Sequence, residues 1–266
     1  MASDTARPFD TLLQSHRSIR RFAPRPLDPV LVDEVLERAL QGSSSSGNLN
    51  LVSVVKTFDP ERKARLHTLH GEQPMVLQAA CVLSFCADSF RTRAWLDQRG
   101  ARLGFGDLIS WHVAAFDAVI LAQSAALGFE ARGLGICYMG TTLHAMRGIA
   151  DLLELPDHCL PVTSLVVGWP DEAPAQRDRL PAAAWIHDER YRRPSAADIE
   201  QHFAAREQRG RERYLSSGPE MARQWQEHGI TSLAQFYTSK IKYDPDRFAQ
   251  DSAALEALLR ERGFRG

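Results

Sequence analysis

Residues 107–140, DLISWHVAAFDAVILAQSAALGFEARGLGICYMG, contain the longest helical pattern of the chain and a short strand pattern directly after it. Between residues 107 and 129, apolar side chains recur on more than one face of the predicted helix. A helix this apolar is typical of a position where it is buried on several sides, at the centre of a domain or at a subunit interface. Residues 133–140 then predict a strand flanked by glycines.

Further elements are predicted on both sides of this stretch. Asp28 and Pro29 predict a helix start, with Asp28 as N-cap and Pro29 at the first helical position, and Gly42 closes that helix. Residues 81–86, CVLSFC, form a continuous apolar run typical of a strand buried on both faces. The remaining predicted elements are helices at 9–15, 61–69 and 143–153 and strands at 51–58 and 161–169.

Strands that alternate with helices favour an α/β or α+β sandwich. From residue 195 onward the pattern changes to amphipathic helices rich in Arg, Glu, Ala and Gln. We interpret residues 195–266 as a helical extension of a core formed by residues 1–194, because this tail has few large apolar residues of its own.

The composition argues against several classes of protein. The chain has 266 residues, of which 44% are hydrophobic and 24% charged, so it can bury a sizeable core. A formal net charge of -1 argues against a general nucleic-acid-binding protein. We find no apolar run that approaches the ~20 residues needed to cross a membrane, and the first ten residues lack the apolar segment of a signal peptide. We therefore expect a cytoplasmic protein with no membrane or nucleic-acid partner.

The cysteines argue against thiol chemistry and metal binding. The chain has 4 of them, with no CxxC pair and no His/Cys spacing typical of metal ligands: Cys81, Cys86, Cys137 and Cys159. We expect reduced thiols and no metal site. If the protein performs redox chemistry, that chemistry must then come from a cofactor.

Four short segments carry groups that bind anions or planar ligands. HRSIRR at residues 16–21 supplies guanidinium groups, and guanidinium pairs bidentately with phosphate. SSSSGNLN at 43–50 supplies hydroxyls and amides, and GLGICYMG at 133–140 lets backbone approach a planar ligand closely. RDRLP at 177–181 supplies a second pair of cations. Taken alone, each segment also fits a structural explanation, such as a solvated helix end, a flexible loop or a helix-to-strand turn.

Taken in this order, the segments resemble the nitroreductase family of FMN enzymes, and most closely its branch of NADPH-dependent flavin reductases and oxygen-insensitive nitroreductases. HRSIRRF is similar to that family's opening H-R-S-x-R motif, SSSSGNLN to its Ser-rich loop, and GEQ at 71–73 to its G-x-Q turn. GLGICYMG is similar to its GLG-x-x-Y-x-G segment, and GWPDEAPAQRDRLP at 168–181 to its G-x-P…K-P-R-L-P loop. The resemblance extends from about residue 10 to residue 191.

The resemblance implies an α+β fold: an α/β sandwich whose central, mostly antiparallel sheet is flanked by helices, with a helical C-terminal extension, in a homodimer. It also implies an FMN site at the dimer interface. His16, Arg17 and Ser18 would hold the FMN phosphate, with Arg20 nearer the ribityl chain and the pyrimidine edge of the ring. The remaining residues implied at the flavin are Ser45, Ser46, Asn48, Gln73, Tyr138, Met139, Gly140, Arg177 and Arg179.

The activity that the resemblance implies is a ping-pong hydride transfer from NADPH or NADH, through FMN, to a nitroaromatic, a quinone or free flavin. The flavin N5 carries that chemistry, so no catalytic side chain is expected. A cation near the flavin N1 and O2, either Arg20 or Arg177, would stabilise the reduced ring. Arg223 and Lys240 are the candidates for binding the 2′-phosphate of NADPH.

Several positions depart from the family pattern. Arg177-Asp178 replaces the usual Lys-Pro, and Asn50 replaces a common glutamine. Met75 stands where this branch often has an aromatic residue, and Thr141 where a second glycine is frequent. These departures bear on the substrate pocket more than on the flavin. The open alternatives are enone reduction or reductive dehalogenation on the same fold, a flavin-binding sensor without turnover, and a protein with no flavin.

Overall fold

The computed structural model describes residues 9–265, and within them the chain divides into two compact units. The first unit takes in the described part of Met1–Gln176 and of Leu255–Gly266. The second unit is Arg177–Ala254. A segment near the end of the chain therefore completes the first unit. The predicted boundary between residues 194 and 195 stays a prediction.

A four-stranded sheet lies at the centre of the first unit. Its strands, in the order β1-β2-β4-β3, pair antiparallel throughout. They are β1 (Val52–Thr57), β2 (Cys81–Asp88), β3 (Gly135–Met139) and β4 (Cys159–Gly168). All eight residues of β2 are buried, as its continuous apolar pattern predicts for a strand covered on both faces. The sheet and its helices confirm the predicted α+β class.

Helices cover both faces of this sheet. The helices of the first unit are α1 (Phe9–Ser15), α2 (Pro29–Gln41), α3 (Pro60–Leu69), α4 (Met75–Gln78), α5 (Phe90–Gln98), α6 (Leu108–Glu130) and α7 (Met146–Leu152). The second unit contains α8 (Ala196–Leu215), α9 (Pro219–Glu227), α10 (Leu233–Tyr237) and the first part of α11 (Pro245–Glu261). Short 3-10 turns occupy Ser46–Asn48, Gly140–Thr142 and Ala182–Ala184.

Some element boundaries differ from the predicted ones. The helix predicted at 143–153 begins only at Met146, because Gly140–Thr142 forms a tight turn directly after β3. Neither α4 nor α5 was predicted. The four residues of α4 are too few to show a helical period, and α5 has a mostly polar sequence, FRTRAWLDQ.

Two cores lie on the two faces of the sheet, because successive side chains of a strand point to opposite faces. From β2, Val82 and Cys86 join one core, while Leu83 and Phe85 join the other. The first core contains α4, α7 and the returning end of the chain, and the second contains α2 and most of α6. The returning end contributes Leu258, Leu259 and Phe264, all buried.

The expectation that no segment is long and apolar enough to cross a membrane was wrong for α6. This helix spans 23 residues, Leu108–Glu130, and contains an 18-residue stretch with a mean hydropathy of 1.4. Half of that stretch is buried inside the protein, and its alanines pack against the sheet. We therefore interpret α6 as a core helix.

One face of α6 stays exposed in the single chain. Its large apolar side chains include Ile109, which is 73% exposed, and Phe116, which is 63% exposed. Val119 and Ile120 on the same helix are exposed as well. A helix with this composition was predicted to lie in a domain centre or at a subunit interface, and its buried side occupies the domain centre.

The second unit has an apolar cluster of its own. Trp225, Leu233 and Phe236 are buried together, with Tyr214 and Tyr237 packed against them. The rings of Trp225 and Phe236 stack with centroids 5.2 Å apart. These aromatic residues are scattered among charged ones in the sequence and show no continuous pattern, so the sequence did not predict this cluster.

The four cysteines are free thiols, and all are buried. Burial raises the pKa of Cys81 to about 12. A hydrogen bond with Cys159 and burial raise the pKa of Cys86 well above its ordinary value. Both thiols therefore stay protonated at neutral pH, which makes them poor nucleophiles.

Candidate functional site

The basic segment at residues 16–21 lies along β3. The Ile19 amide donates a hydrogen bond to the Ile136 carbonyl at 2.9 Å. Gly135 makes this approach possible, because a Cβ atom there would lie 2.8 Å from Cγ1 of Ile19. Burial raises the pKa of the neighbouring Cys137 thiol, while the Arg20 charge and a hydrogen bond with Ser18 oppose that shift. The first and third predicted segments are thus in direct contact.

Residues 170–176 fold over the same basic segment. The Glu172 carboxylate accepts hydrogen bonds from the Arg20 amide at 2.5 Å and from the Arg21 amide at 3.1 Å. Arg17 donates from Nη1 to the Pro174 carbonyl at 3.1 Å. The sequence signal for this contact was the likeness of residues 168–181 to a family loop, but nothing in it pointed to Glu172 as the anchor.

His16 is paired with a buried carboxylate. Its Nδ1 lies 2.7 Å from Oε1 of Glu130, a residue on the last turn of α6 that is only 9% exposed. The other oxygen, Oε2, is buried and has no hydrogen-bond partner in the structure. Burial, with a further contribution from the Glu130 charge, raises the pKa of Tyr138 to about 12. Glu130 therefore fixes one side of the His16 ring.

A cavity of about 200 Å³ lies between these elements. It is lined by Ser15, Arg17, Ile19, Glu130, Gly133, Leu134, Gly135, Pro170, Glu172 and Ala173. Pockets for small molecules usually have volumes of roughly 300–1,000 Å³. The cavity of one chain can therefore take an anionic group such as a phosphate, but it does not enclose a whole nucleotide.

The Ser-rich loop is anchored to α6 through Asp117. This carboxylate is only 4% exposed and accepts hydrogen bonds from the Ser45 hydroxyl at 2.6 Å and from the Leu51 amide at 2.9 Å. Ser45 in turn accepts a hydrogen bond from the Asn50 amide at 2.8 Å. The Ser45 hydroxyl is thus engaged inside the loop and organises it.

The two asparagines of the chain have a backbone role in this loop. Asn48 has φ 55° and Asn50 has φ 51°, in the left-handed region that asparagine tolerates better than most residues. Nδ2 of Asn50 donates to the Asn48 carbonyl at 3.0 Å. Their role in shaping the loop adds to the ligand contact predicted for Asn48, and that contact stays a prediction.

Gln73 is held in a group with His70, which the sequence did not single out for a site, and with Thr141, one of the departures from the family pattern. Its Nε2 donates to the His70 carbonyl at 2.9 Å and lies 3.4 Å from Oγ1 of Thr141. His70 Nδ1 lies 2.8 Å from the same Thr141 oxygen. Burial lowers the pKa of His70 to about 4, so the imidazole is neutral at neutral pH.

β3 ends in the residues predicted to place backbone beside a flavin ring. Met139 is 1% exposed, and the Tyr138 hydroxyl donates to Oε1 of Gln123 on α6 at 3.2 Å. At Gly140, an added Cβ atom would have no atom within 4 Å, and its φ lies outside the left-handed region. The fold of the chain does not itself require glycine at this position, which leaves the backbone open to a planar ligand.

The second unit carries the remaining predicted cations. Arg179 donates from Nη1 to the Arg177 carbonyl at 3.0 Å. Asp178 stands where the family pattern has proline. Its Oδ2 lies 3.7 Å from Nε of Arg206 and 3.6 Å from Nη2 of Arg209, both on α8. The loop is therefore tied to α8 within its own unit.

The two candidates for the 2′-phosphate of NADPH have different surroundings. Arg223 is 2.6 Å from Glu220 and 3.6 Å from Glu227 on α9, so its charge is already balanced. Lys240 lines a cavity of about 510 Å³ together with His228, Thr238 and Ser239. Lys240 is therefore the better placed of the two within this unit.

Sequence reasoning missed three buried polar residues of the site: Asp117, Glu130 and His70. Asp117 had a usable signal, since a lone carboxylate in the middle of an apolar helix must be buried with a partner or turned to solvent. Glu130 and His70 lie at element ends, where polar residues are common and give no signal. In the part of the chain that the structure describes, no group of His, Cys, Asp and Glu could hold a metal ion.

Comparison with known proteins places the chain in a family. Residues 13–169 match the model of the nitroreductase family. FMN reductase (NADPH) of Bacillus subtilis strain 168 is 33% identical over 185 residues, which cover 69% of this chain and 74% of that protein. The oxygen-insensitive NADPH nitroreductase of Salmonella typhimurium strain LT2 is 31% identical over 223 residues, or 83% of this chain and 89% of that protein.

Solved structures agree with this assignment. The structure of NfrA2 from B. megaterium has a TM-score of 0.81 at 28% identity and covers 97% of this chain and 98% of its own. The chain belongs to the nitroreductase family.

The residues present fit FMN, the cofactor of that family. The cavity beside Arg17 is of phosphate size, and each of its two carboxylates has a partner on one oxygen, Oε1 of Glu130 with His16 and Oε1 of Glu172 with backbone amides. The open backbone at Gly140 suits a planar ring, and Gln73 supplies an amide. The contacts of the individual residues with FMN stay predictions.

Proposed function

We propose that this protein binds FMN and uses it to pass electrons from NADPH or NADH to a small-molecule acceptor, such as a nitroaromatic, a quinone or free flavin. The observation that carries this proposal is the contact between the basic segment 16–21, β3 and residues 170–176, because it places Arg17 at a phosphate-sized cavity. The two curated relatives reported above are named for FMN or nitro-group reduction with NADPH.

The roles of the residues follow from their chemistry. Arg17, together with Ser18 and the His16 ring that Glu130 orients, would bind the phosphate. Arg20 is exposed on the same segment and would offer its positive charge to the ring edge that becomes anionic on reduction. When bound, FMN supplies the hydride-accepting and hydride-donating centre, so the protein needs no nucleophilic side chain.

The purified protein tests this proposal directly. We expect a yellow protein whose visible flavin bands bleach when NADPH is added under anaerobic conditions and return when a quinone is added. Arg20→Ala should retain less FMN and turn over more slowly, while Arg99→Ala, an exposed arginine on α5's C-terminal side, should match wild type. A colourless protein that binds no added FMN would refute the proposal.

We also propose that the protein is a cytoplasmic homodimer and that α6 forms part of the interface. The exposed apolar face of α6 is of the kind that marks interaction surfaces. The cavity beside Arg17 has only about 200 Å³ in one chain, which supports a flavin site completed by a second copy. Residues 195–266 would serve as the helical extension of the FMN-binding core, residues 1–194.

The acceptor requires a separate comparison. Reduced enzyme should be assayed with a nitroarene, a quinone, an enone and a haloarene, since enone reduction and reductive dehalogenation can use the same cofactor. If none of these acceptors supports oxidation of NADPH, the protein would instead be a flavin-binding sensor.

A separate experiment would identify the cation that recognises the 2′-phosphate of NADPH. Turnover with NADPH and with NADH should be compared in Lys240→Ala and Arg223→Ala; we expect the larger loss of NADPH turnover with Lys240→Ala.

A further inference from the structure

His70, Gln73 and Thr141 form one hydrogen-bonded group where the turn after α3 meets the turn after β3. Gln73 Nε2 contacts two oxygens, the His70 carbonyl at 2.9 Å and Thr141 Oγ1 at 3.4 Å. His70 Nδ1 lies 2.8 Å from that same hydroxyl. The Thr141 hydroxyl, which follows β3, therefore connects the His70 imidazole and the Gln73 side-chain amide, which both follow α3.

These contacts fix the direction of the Gln73 amide. A backbone carbonyl oxygen only accepts hydrogen bonds, so the atom that faces the His70 carbonyl must be the amide nitrogen. The Thr141 hydroxyl oxygen can also accept a hydrogen bond, and it lies 3.4 Å from the same Gln73 nitrogen. The amide carbonyl of Gln73 is directed away from both oxygens and remains an acceptor.

The burial of His70 lowers the stability of the fold, and its packing alone does not explain why a histidine lies there. It is 0% exposed, and its Nε2 is buried with no hydrogen-bond partner in the structure. A buried polar atom without a partner lowers the stability of the fold, so such a residue calls for another reason to be there. Its one side-chain hydrogen bond holds the Thr141 hydroxyl in place.

We propose that His70 and Thr141 are positioning residues, which hold the Gln73 amide so that it offers its carbonyl oxygen to an N–H group of the flavin ring. This inference rests on the proposed FMN site. It concerns a feature of this chain, because Thr141 stands where a second glycine is frequent in the family pattern, and glycine has no hydroxyl. Gln73 would touch the cofactor, while His70 and Thr141 act through it.

Thr141 offers a matched pair of variants. Thr141→Ser keeps the hydroxyl, and Thr141→Val keeps the shape and loses the hydroxyl. We expect Thr141→Ser to bind FMN within about twofold of wild type, and Thr141→Val to bind it about fivefold to tenfold more weakly, the range for one hydrogen bond. Titration of the apoprotein with FMN, followed by flavin fluorescence, gives the dissociation constant, and the visible bands of bound flavin should shift in Thr141→Val alone.

A double variant shows whether Thr141 acts through Gln73. Gln73→Leu removes the amide, so adding Thr141→Val to it should weaken FMN binding no further. Additive losses would overturn the inference. So would wild-type affinity in Thr141→Val, or an equal loss in Thr141→Ser, which would assign the effect to the methyl group.

Two controls separate the possible failures. Thermal unfolding of each apoprotein identifies a variant that does not fold, and Thr141→Ala then replaces Thr141→Val in the same comparison. If wild-type protein binds no FMN, the proposed function itself fails. If wild type binds FMN and the valine and serine variants behave alike, the proposed function stands and the positioning role is refuted.

Discussion

A buried polar side chain, Asp117, holds the Ser-rich loop in place. Asp117 is a carboxylate on an otherwise apolar helix face, and it accepts hydrogen bonds from the Ser45 hydroxyl and the Leu51 amide. The Ser-rich loop and the start of β1 thus depend on one residue that lies outside both.

Replacing Asp117 by alanine should therefore lower stability and loosen the loop. Two buried donors would lose their acceptor, so we expect the free energy of unfolding to fall by about 2 to 4 kcal/mol, as judged by urea denaturation. FMN affinity should fall as well. Asp97→Ala on α5 removes an exposed carboxylate and should leave both quantities unchanged. Equal stability of the two variants would show that the loop does not need Asp117.

His70 predicts a pH dependence of stability. Burial lowers its pKa to about 4, below the ordinary value of 6.5, so on acidification the unfolded chain takes up a proton before the folded protein does. Stability is then lost as the pH falls from about 6.5 towards 4, and the loss levels off below that. Between pH 8 and pH 5, His70→Asn should lose about 2 kcal/mol less than wild type, measured by urea denaturation at each pH. Parallel losses in the two proteins would contradict this.

For individual residues, the sequence predicted which segments share a site better than it predicted which side chains hydrogen-bond to each other. HRSIRRF and GLGICYMG were paired as parts of one site, and Ile19 and Gly135 bring them together. The sequence did not show that Ser45 turns its hydroxyl towards a helix or that Glu130 holds His16. Such pairs join residues 72 and 114 positions apart, and no local pattern encodes them.

Among the elements, β3 begins with one glycine, Gly135, and is followed by another, Gly140, and the two glycines have different structural roles. A Cβ atom at Gly135 would lie 2.8 Å from the Ile19 side chain, whereas one at Gly140 would meet no atom within 4 Å. The first glycine serves packing between the strand and the basic segment. The second leaves room at the end of the strand.

The two alanine variants should therefore behave differently. Gly135→Ala should lower the free energy of unfolding by about 1 to 3 kcal/mol, the usual cost of overpacking, and weaken FMN binding through the displaced basic segment. Gly140→Ala should unfold like wild type and weaken FMN binding alone. Urea denaturation and FMN titration of both variants measure this. A Gly140→Ala variant with wild-type affinity would remove that position from the site.

Long or strongly patterned elements were predictable, and short ones were not. Asp28 caps α2 by accepting a hydrogen bond from the Val30 amide at 2.9 Å, as its position before Pro29 predicts. The 3-10 turn at Gly140–Thr142 delayed the helix predicted after it, because a tight turn of three residues shows no period of its own.

At the scale of the whole molecule, the exposed face of α6 predicts self-association. Phe116→Asp places a charge on that face without touching the buried side of the helix, so it should yield monomers. Light scattering after size-exclusion chromatography gives the mass. Val30→Asp, an equally exposed position on α2, is the matched control and should keep the mass of wild type. If Phe116→Asp has the wild-type mass and FMN content, α6 is not the interface.

The architecture of the whole chain was only partly readable from its sequence. The alternation of strands and helices up to residue 170 predicted an α/β or α+β sandwich, and the resemblance to the nitroreductase family implied the α+β fold. The tail was interpreted as a helical extension with few large apolar residues of its own. Trp225, Leu233 and Phe236 are separated by charged and polar residues in the sequence and come together only in the folded chain. Likewise, no pattern in the sequence predicted that Leu258 and Phe264 belong to the first core.

The return of the last helix to the first core sets an order for biosynthesis. Packing around Phe264 requires residues that leave the ribosome after the entire second unit, Arg177–Ala254, has been translated. Arg262 closes this junction by pairing with Asp151 and donating to the Leu155 carbonyl. A nascent chain halted within the second unit would consequently expose apolar surface on its first half, and such truncated products should be prone to aggregation and rapid degradation.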